Sequence, residues 1–169
     1  MTLDLILIRH AKSSWDDPLI TDHDRQLNKR GEKSADAIGA WLKVHDALPT
    51  SVLCSTARRA VDTWVKLSPH IGGNATVDLR SDLYHAEPRT MLDVLRSAKG
   101  ACVLMVGHNP GIGLLAAGLC KAPSLHPDFN RYPTCATTWF RFDHTDWSAV
   151  AAGSGDIVDF IVPRQLLGK

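Results

Sequence analysis

A three-layer α/β/α sandwich around a mostly parallel, mixed sheet is predicted by three features of the chain. Apolar runs of strand length recur, amphipathic helical segments alternate with them, and two further extended segments close the sequence. The runs cover 3–8, 52–54 and 101–106, and their near-continuous apolar character suits strands covered on both faces. No repeat, low-complexity tract or linker interrupts the 169 residues, so one domain over 1–169 is expected.

The helices follow from spacing and punctuation. From Gly31 to about His45, the residues Ala35, Ile38, Trp41 and Leu42 recur at threes and fours, and Asn28 is a candidate cap. Ser55 is the expected N-cap of a second helix carrying Ala60, Trp64 and Leu67, with Pro69 helping to end it. A third helix is expected from Pro88 to Ala98, with Met91, Leu92 and Leu95 on one face. Asn109 followed by Pro110 reads as an N-cap with proline at the first helical position, opening a fourth helix from Gly111 to Leu119. Thr137 to Phe142 and Ile157 to Val162 read as strands, separated by a turn-rich stretch containing Gly153 and Gly155.

Composition narrows the classes of function. With 19 Lys plus Arg against 18 Asp plus Glu there is no electrostatic case for a nucleic-acid or anionic-membrane partner, so any anion recognition must be local. The opening apolar segment is too short for a signal-peptide core, lacks preceding basic residues and contains Asp4; no later run approaches bilayer length. Cys54, Cys102, Cys120 and Cys135 form no Cys-x-x-Cys pair, which favours a reduced, cytoplasmic protein. The eight histidines show no His-x-His or His-Glu-x-x-His spacing, and no metal or organic cofactor is expected. His23, His45, His70, His126 and His144 are expected on the surface or in loops.

Three strand-to-helix junctions carry the chemistry: Arg9-His10, Ser55 to Arg59, and Gly107 to Pro110. Parallel strands bring such junctions to one edge, the edge at which open α/β sheets bind ligands. Two imidazoles and at least two guanidiniums would then meet near helix N-termini, whose free amides favour anions. A phosphoryl group fits, because guanidinium forks match its oxygens and histidine can serve as its nucleophile.

These segments carry a family resemblance. Leu7 to Ser13, with Arg9-His10-Ala11 at its centre, resembles the Arg-His-Gly/Ala signature of the histidine phosphatase (phosphoglycerate mutase-like) superfamily. Leu27 to Gly31 is similar to the Leu-Thr-x-x-Gly start of its first helix. Ser55 to Thr63 resembles Ser-Pro-x-x-Arg-Ala-x-x-Thr, which puts the motif arginine at Arg59 and leaves Arg58 as a solvated neighbour. Val106 to Gly111 resembles the segment holding the second active-site histidine. Within the superfamily, the short length, Arg9 to Trp15, Leu83 to Ala86 and Tyr132 to Thr134 look like the SixA-type phosphohistidine phosphatase group.

The resemblance implies a phosphoglycerate mutase-like sandwich without a large cap domain, and an enzyme working through a covalent phosphohistidine. His10 is the implied nucleophile, and Arg9, Arg59 and His108 the implied phosphate clamp. The general acid is open: Glu87 ranks first, with His85, Asp16 and Asp17 as alternatives. A phosphorylated protein is the expected substrate, a small phosphate ester or a non-catalytic phosphate-binding role the alternatives, and no oligomeric state is implied. Asp22, Asp24 and Arg25 are candidates for ordering a nearby loop. Trp15 is a candidate flanking aromatic, and Ser13 and Ser14 are candidate phosphate donors or simple turn formers.

Overall fold

The computed structural model describes residues 1–168. Six strands form one sheet: β1 (Leu3–Arg9), β2 (Ser51–Ser55), β3 (Thr76–Arg80), β4 (Cys102–Gly107), β5 (Thr137–Phe142) and β6 (Gly155–Ile161). Five helices accompany them: α1 (Lys29–Val44), α2 (Arg58–Ile71), α3 (Pro88–Arg96), α4 (Gly111–Leu119) and α5 (Pro163–Leu167). The strand order is β3-β2-β4-β1-β5-β6, with the first four parallel, β5 antiparallel to β1, and β6 antiparallel to β5. The mixed three-layer sandwich expected from the alternation is therefore the observed fold.

Alternation along the strands builds the layers. Leu3, Leu5 and Leu7 of β1, with Val103 and Met105 of β4, pack against Met91, Leu95, Ile112 and Leu115 of α3 and α4. Ile6, Ile8, Leu104 and Val106 face the other way, onto Ile38, Leu42, Trp64 and Leu67 of α1 and α2. Both faces of the central strands are thus dry, which is why their sequences read as continuous apolar runs. β3 escapes that pattern. As an edge strand with four exposed residues and Asp78 and Arg80 within it, it has no need of an apolar run.

Several helix boundaries depart from the sequence expectation, among them the end of α3 at Arg96 in place of Ala98. Asn28 does cap α1, accepting from the Gly31 N–H at 2.8 Å. Ser55, however, is the last residue of β2, and Ala57 occupies the N-cap of α2; Ser55 Oγ accepts from the Ala57 N–H at 3.2 Å, steadying the turn from outside the helix. Pro110 is likewise the cap residue of α4, and Asn109 reaches in from one position earlier, its Oδ1 accepting from the Gly113 N–H. Pro69 lies inside α2, which runs on to Ile71. All four cysteines are free thiols.

Two glycines fix how close the helices come to the loops at the carboxyl ends of the parallel strands. A Cβ on Gly31 would collide with the Lys12 carbonyl oxygen, and one on Gly111 with the Ala86 carbonyl oxygen. Both are rigid backbone atoms in loops that leave strand ends. Gly31→Ala and Gly111→Ala are each expected to destabilise the protein by about 1–3 kcal/mol through overpacking. Gly118→Ala, an exposed helical position where an added Cβ meets nothing within 4 Å, is expected to stabilise by roughly 0.5–1 kcal/mol. Urea unfolding of the three variants reads the opposite signs.

Candidate active site

β1 and β4 lie side by side with Arg9 opposite Gly107, so the residues that follow them, His10 and His108, emerge together. Their rings stand 5.1 Å apart between centroids. Arg59 arrives from the first turn of α2, and its Nε donates to His10 Nε2 at 3.3 Å. His10, His108 and Arg59 are all buried, at 6%, 2% and 2% exposure. The three junctions singled out in the sequence therefore converge, and with Arg9 they line one cavity of about 300 Å³.

Local bonds hold each group in place. The His10 N–H donates to the Gly107 carbonyl, and its ring Nδ1 lies 2.7 Å from the Ala11 carbonyl oxygen. That contact requires the proton on Nδ1, which leaves the Nε2 lone pair facing the cavity. The Ala11 N–H donates to Thr63 Oγ1, whose hydroxyl donates to the Arg59 carbonyl, so the loop after β1 is tied to the first turn of α2. His108 Nε2 sits 2.8 Å from Ser55 Oγ. An Arg9 Nη donates to the Tyr132 carbonyl at 3.1 Å, and Asn109 Nδ2 donates to the same oxygen.

Asp22 is the hub on the opposite wall. Its carboxylate accepts from Arg59 at 3.1 Å, from the Tyr84 hydroxyl at 2.5 Å, from His85 Nε2 at 3.1 Å and from Arg25 Nε at 3.2 Å. Its carbonyl oxygen takes a further bond from Arg59 at 2.7 Å. Burial pulls the other way, yet the hydrogen bonds from Tyr84 and His85 and the Arg59 charge hold Asp22 well below the usual carboxylate range. Arg25 also bonds Ser13 Oγ and lies 3.5 Å from the centroid of the Trp15 ring, so Trp15 flanks the cavity by stacking on a cation.

Electrostatics follow from this inventory. Arg9, Lys12, Arg25 and Arg59 line the cavity with Asp22 as the one carboxylate. Burial, followed by the neighbouring guanidiniums, depresses His10 to about 3; burial, then the His10 and Arg59 charges, depresses His108 to about 2. Both imidazoles are therefore neutral near pH 7, and His10 is available as a nucleophile.

Other expected residues fall elsewhere. Glu87 is exposed at the N-cap of α3 and is not among the residues lining the cavity, whereas His85 is. Asp16 and Asp17 line a separate hollow with Ser14 and Arg25. Arg58 is a solvated residue paired with Asp62, as expected. Of the loop candidates, Asp22 and Arg25 order the site, while Asp24 stays exposed beside His23. His45, His70 and His126 bond Trp41, Asp36 and Gln165 away from the site.

Comparison with known proteins places the chain in a family. Residues 5–85 match the model of the histidine phosphatase superfamily (branch 1). An uncharacterized protein of Mycobacterium tuberculosis, MT1313, is 34% identical over 164 residues, covering 93% of this chain and all of that one. The chain belongs to the histidine phosphatase superfamily. It falls with the SixA-type group: a structure assigned to phosphohistidine phosphatase SixA from Nakamurella multipartitia matches at a TM-score of 0.81 with 26% identity, over 96% of this chain and 97% of that one. The protein histidine phosphatase SixA complexed with tungstate shares the fold, with a TM-score of 0.79, 21% identity and coverage of 97% and 99%. Membership and the likeness to the Nakamurella multipartitia structure support phosphatase activity. Among the described residues no helix is long and apolar enough to cross a membrane.

Burial of the two imidazoles links stability to pH. Their folded-state pKa values lie below the ordinary 6.5, so the unfolded chain binds more protons as pH falls through that value. Their contribution is complete above about pH 6.5 and is lost as pH drops towards 3, each steepening the decline by up to ~1.4 kcal/mol per pH unit. Urea unfolding between pH 7 and 4 in phosphate-free buffer is expected to give a shallower slope for a His10→Asn/His108→Asn double variant. An unchanged slope means that the imidazoles take up protons without unfolding.

Proposed function

We propose that the protein is a phosphatase that passes a phosphoryl group through His10, and that its substrate is phosphohistidine in a signalling or phosphotransfer protein. The observation carrying this reading is the neutral His10 Nε2, bonded to Arg59 in a buried cavity whose cations outnumber its carboxylates. His10 Nε2 attacks phosphorus as the P–N bond of the substrate breaks, and the departing imidazole nitrogen takes a proton. Arg9, Arg59 and His108 hold the non-transferred oxygens as charge redistributes in a loose transition state. Water then attacks phosphorus, the bond to His10 breaks, and inorganic phosphate leaves with His10 restored.

Two features support a substrate presented on a protein surface. Among the described residues, no helical subdomain is inserted over the cavity; its walls are the strand-to-helix loops themselves. In addition, Glu87 stands aside from the cavity, and His85, exposed and bonded to Asp22, occupies the wall in its place. We assign proton donation to His85. A phosphoramidate needs less of it than an alkyl ester does, since the leaving nitrogen is basic enough to be protonated by water.

Rapid-quench trapping with a radiolabelled phosphohistidine domain tests the reading. Wild type is expected to accumulate an acid-labile, alkali-stable phosphoenzyme that His10→Ala lacks, and turnover without that species rules out a nucleophilic His10. Arg59→Ala is expected to lower kcat by roughly 10²–10³, the usual cost of losing one preorganised donor to a transition-state oxyanion. His85→Gln is expected to slow an alkyl phosphate more than the phosphohistidine domain. Turnover of small esters with none of the phosphohistidine domain would make the protein a phosphomonoesterase instead.

A further inference from the structure

A second, larger depression of about 800 Å³ adjoins the catalytic cavity, sharing Lys12 and Thr134 with it. Its charge is one-sided. Lys12, Arg30, Lys33, Arg131 and Arg164 line it, against the single carboxylate of Asp128. Asp128 is itself buried and already occupied, bonded to Arg131 at 2.7 Å and in close contact with Arg164. Lys12, Arg30 and Lys33 have no carboxylate partner within ion-pair distance among the described residues, and all three are exposed. A chain with a formal net charge of +1 thus gathers three unpaired cations in one groove beside the reacting atoms.

We propose that this groove docks an acidic surface segment of the phosphorylated protein substrate. The inference rests on the phosphohistidine-protein reading above and names the feature of the partner that selects it. A small polyanion would call for donors fixed in advance, as Arg59 is fixed by Asp22 and His10. The groove instead offers long, solvated side chains on the first turns of α1, on the loop before β5 and on α5. Such cations contribute through long-range steering and complementarity with an opposing carboxylate face more than through tight individual bonds. The shared wall at Lys12 gives the geometry its direction: a segment lying in the groove delivers a neighbouring phosphoryl group to His10.

An Arg30→Glu/Lys33→Glu variant tests the proposal, with Lys43→Glu/Lys99→Glu as a control of identical net charge away from both depressions. Steady-state kinetics are measured on p-nitrophenyl phosphate and on a phosphorylated histidine phosphotransfer domain with an acidic face. The groove variant is expected to lose roughly tenfold or more in kcat/KM on the domain alone, chiefly through KM, with a flatter dependence on ionic strength. The control is expected to lose little. Equal activity of groove variant and wild type on the domain overturns the docking role while leaving the phosphohistidine reading intact. Equal losses on both substrates, or equal losses in the control, also overturn it. If wild type hydrolyses the ester but not the domain, the phosphohistidine reading and the docking role fall together.

Discussion

Guanidiniums held in a nearly dry corner, with fewer carboxylates than cations, are the constraint from which the rest of the site follows. Removing such a charge from water costs several kcal/mol unless it is paired and fully hydrogen-bonded. Arg59 meets that demand through Asp22, but Arg9 has only the Tyr132 carbonyl, and burial together with the Arg59 charge pulls its pKa down. The remaining positive field bears on the two imidazoles, already disfavoured as cations by burial. Stability for this arrangement comes from elsewhere: from the two apolar layers that close on β1 and β4, directly beneath the junctions.

Much of this was legible in the chain because the chemistry sits where local patterns end. A strand buried on both faces is an unmistakable apolar run, and its last residue marks the sheet edge; Arg9, His10 and His108 are located by that logic alone. Arg59 needed its motif, since one arginine in a helix gives no local sign of turning inward. What stayed hidden depends on contacts between distant segments. Tyr132 is fully buried, with its hydroxyl on the Leu7 carbonyl and its own carbonyl on Arg9, more than 120 residues away in sequence. Ser55 reads as a helix cap because the same small hydroxyl serves both tasks; only the fold brings His108 to it. β3 was absent from the apolar runs because an edge strand facing solvent has no reason to be one.

The placement of Glu87 and His85 shows how much a loop decides beyond sequence neighbourhood. Glu87 and His85 are two residues apart, yet the backbone at His85 takes a left-handed conformation, with φ at 50°, just where the chain turns from β3 towards α3. That turn directs the imidazole towards Asp22 and leaves the carboxylate at the helix cap in solvent. Gly111 is the counterpart on the other side, since only a residue without a side chain lets α4 seat against the Ala86 carbonyl. The wall facing His10 is therefore set by backbone geometry in a loop, a level at which residue type alone is a poor guide.

Asp22 gives the site a way to receive and release an anion without rebuilding itself. In the proposed cycle an incoming phosphoryl group competes with Asp22 for Arg59, and the bond from Arg59 Nε to His10 Nε2 must loosen before that nitrogen can attack. Both exchanges involve groups with alternatives at hand. Asp22 is half exposed and keeps Tyr84, His85 and Arg25 when it yields Arg59, so its charge is not stranded. His10 keeps its bond to the Ala11 carbonyl, which fixes the ring while its other nitrogen changes partner. A buried carboxylate in the same place would hold Arg59 too tightly, whereas no carboxylate at all would leave a guanidinium unpaired whenever phosphate departs. A half-exposed acid shared among four donors lies between these limits, and it makes the same pocket stable before the phosphoryl group arrives and permissive once it has.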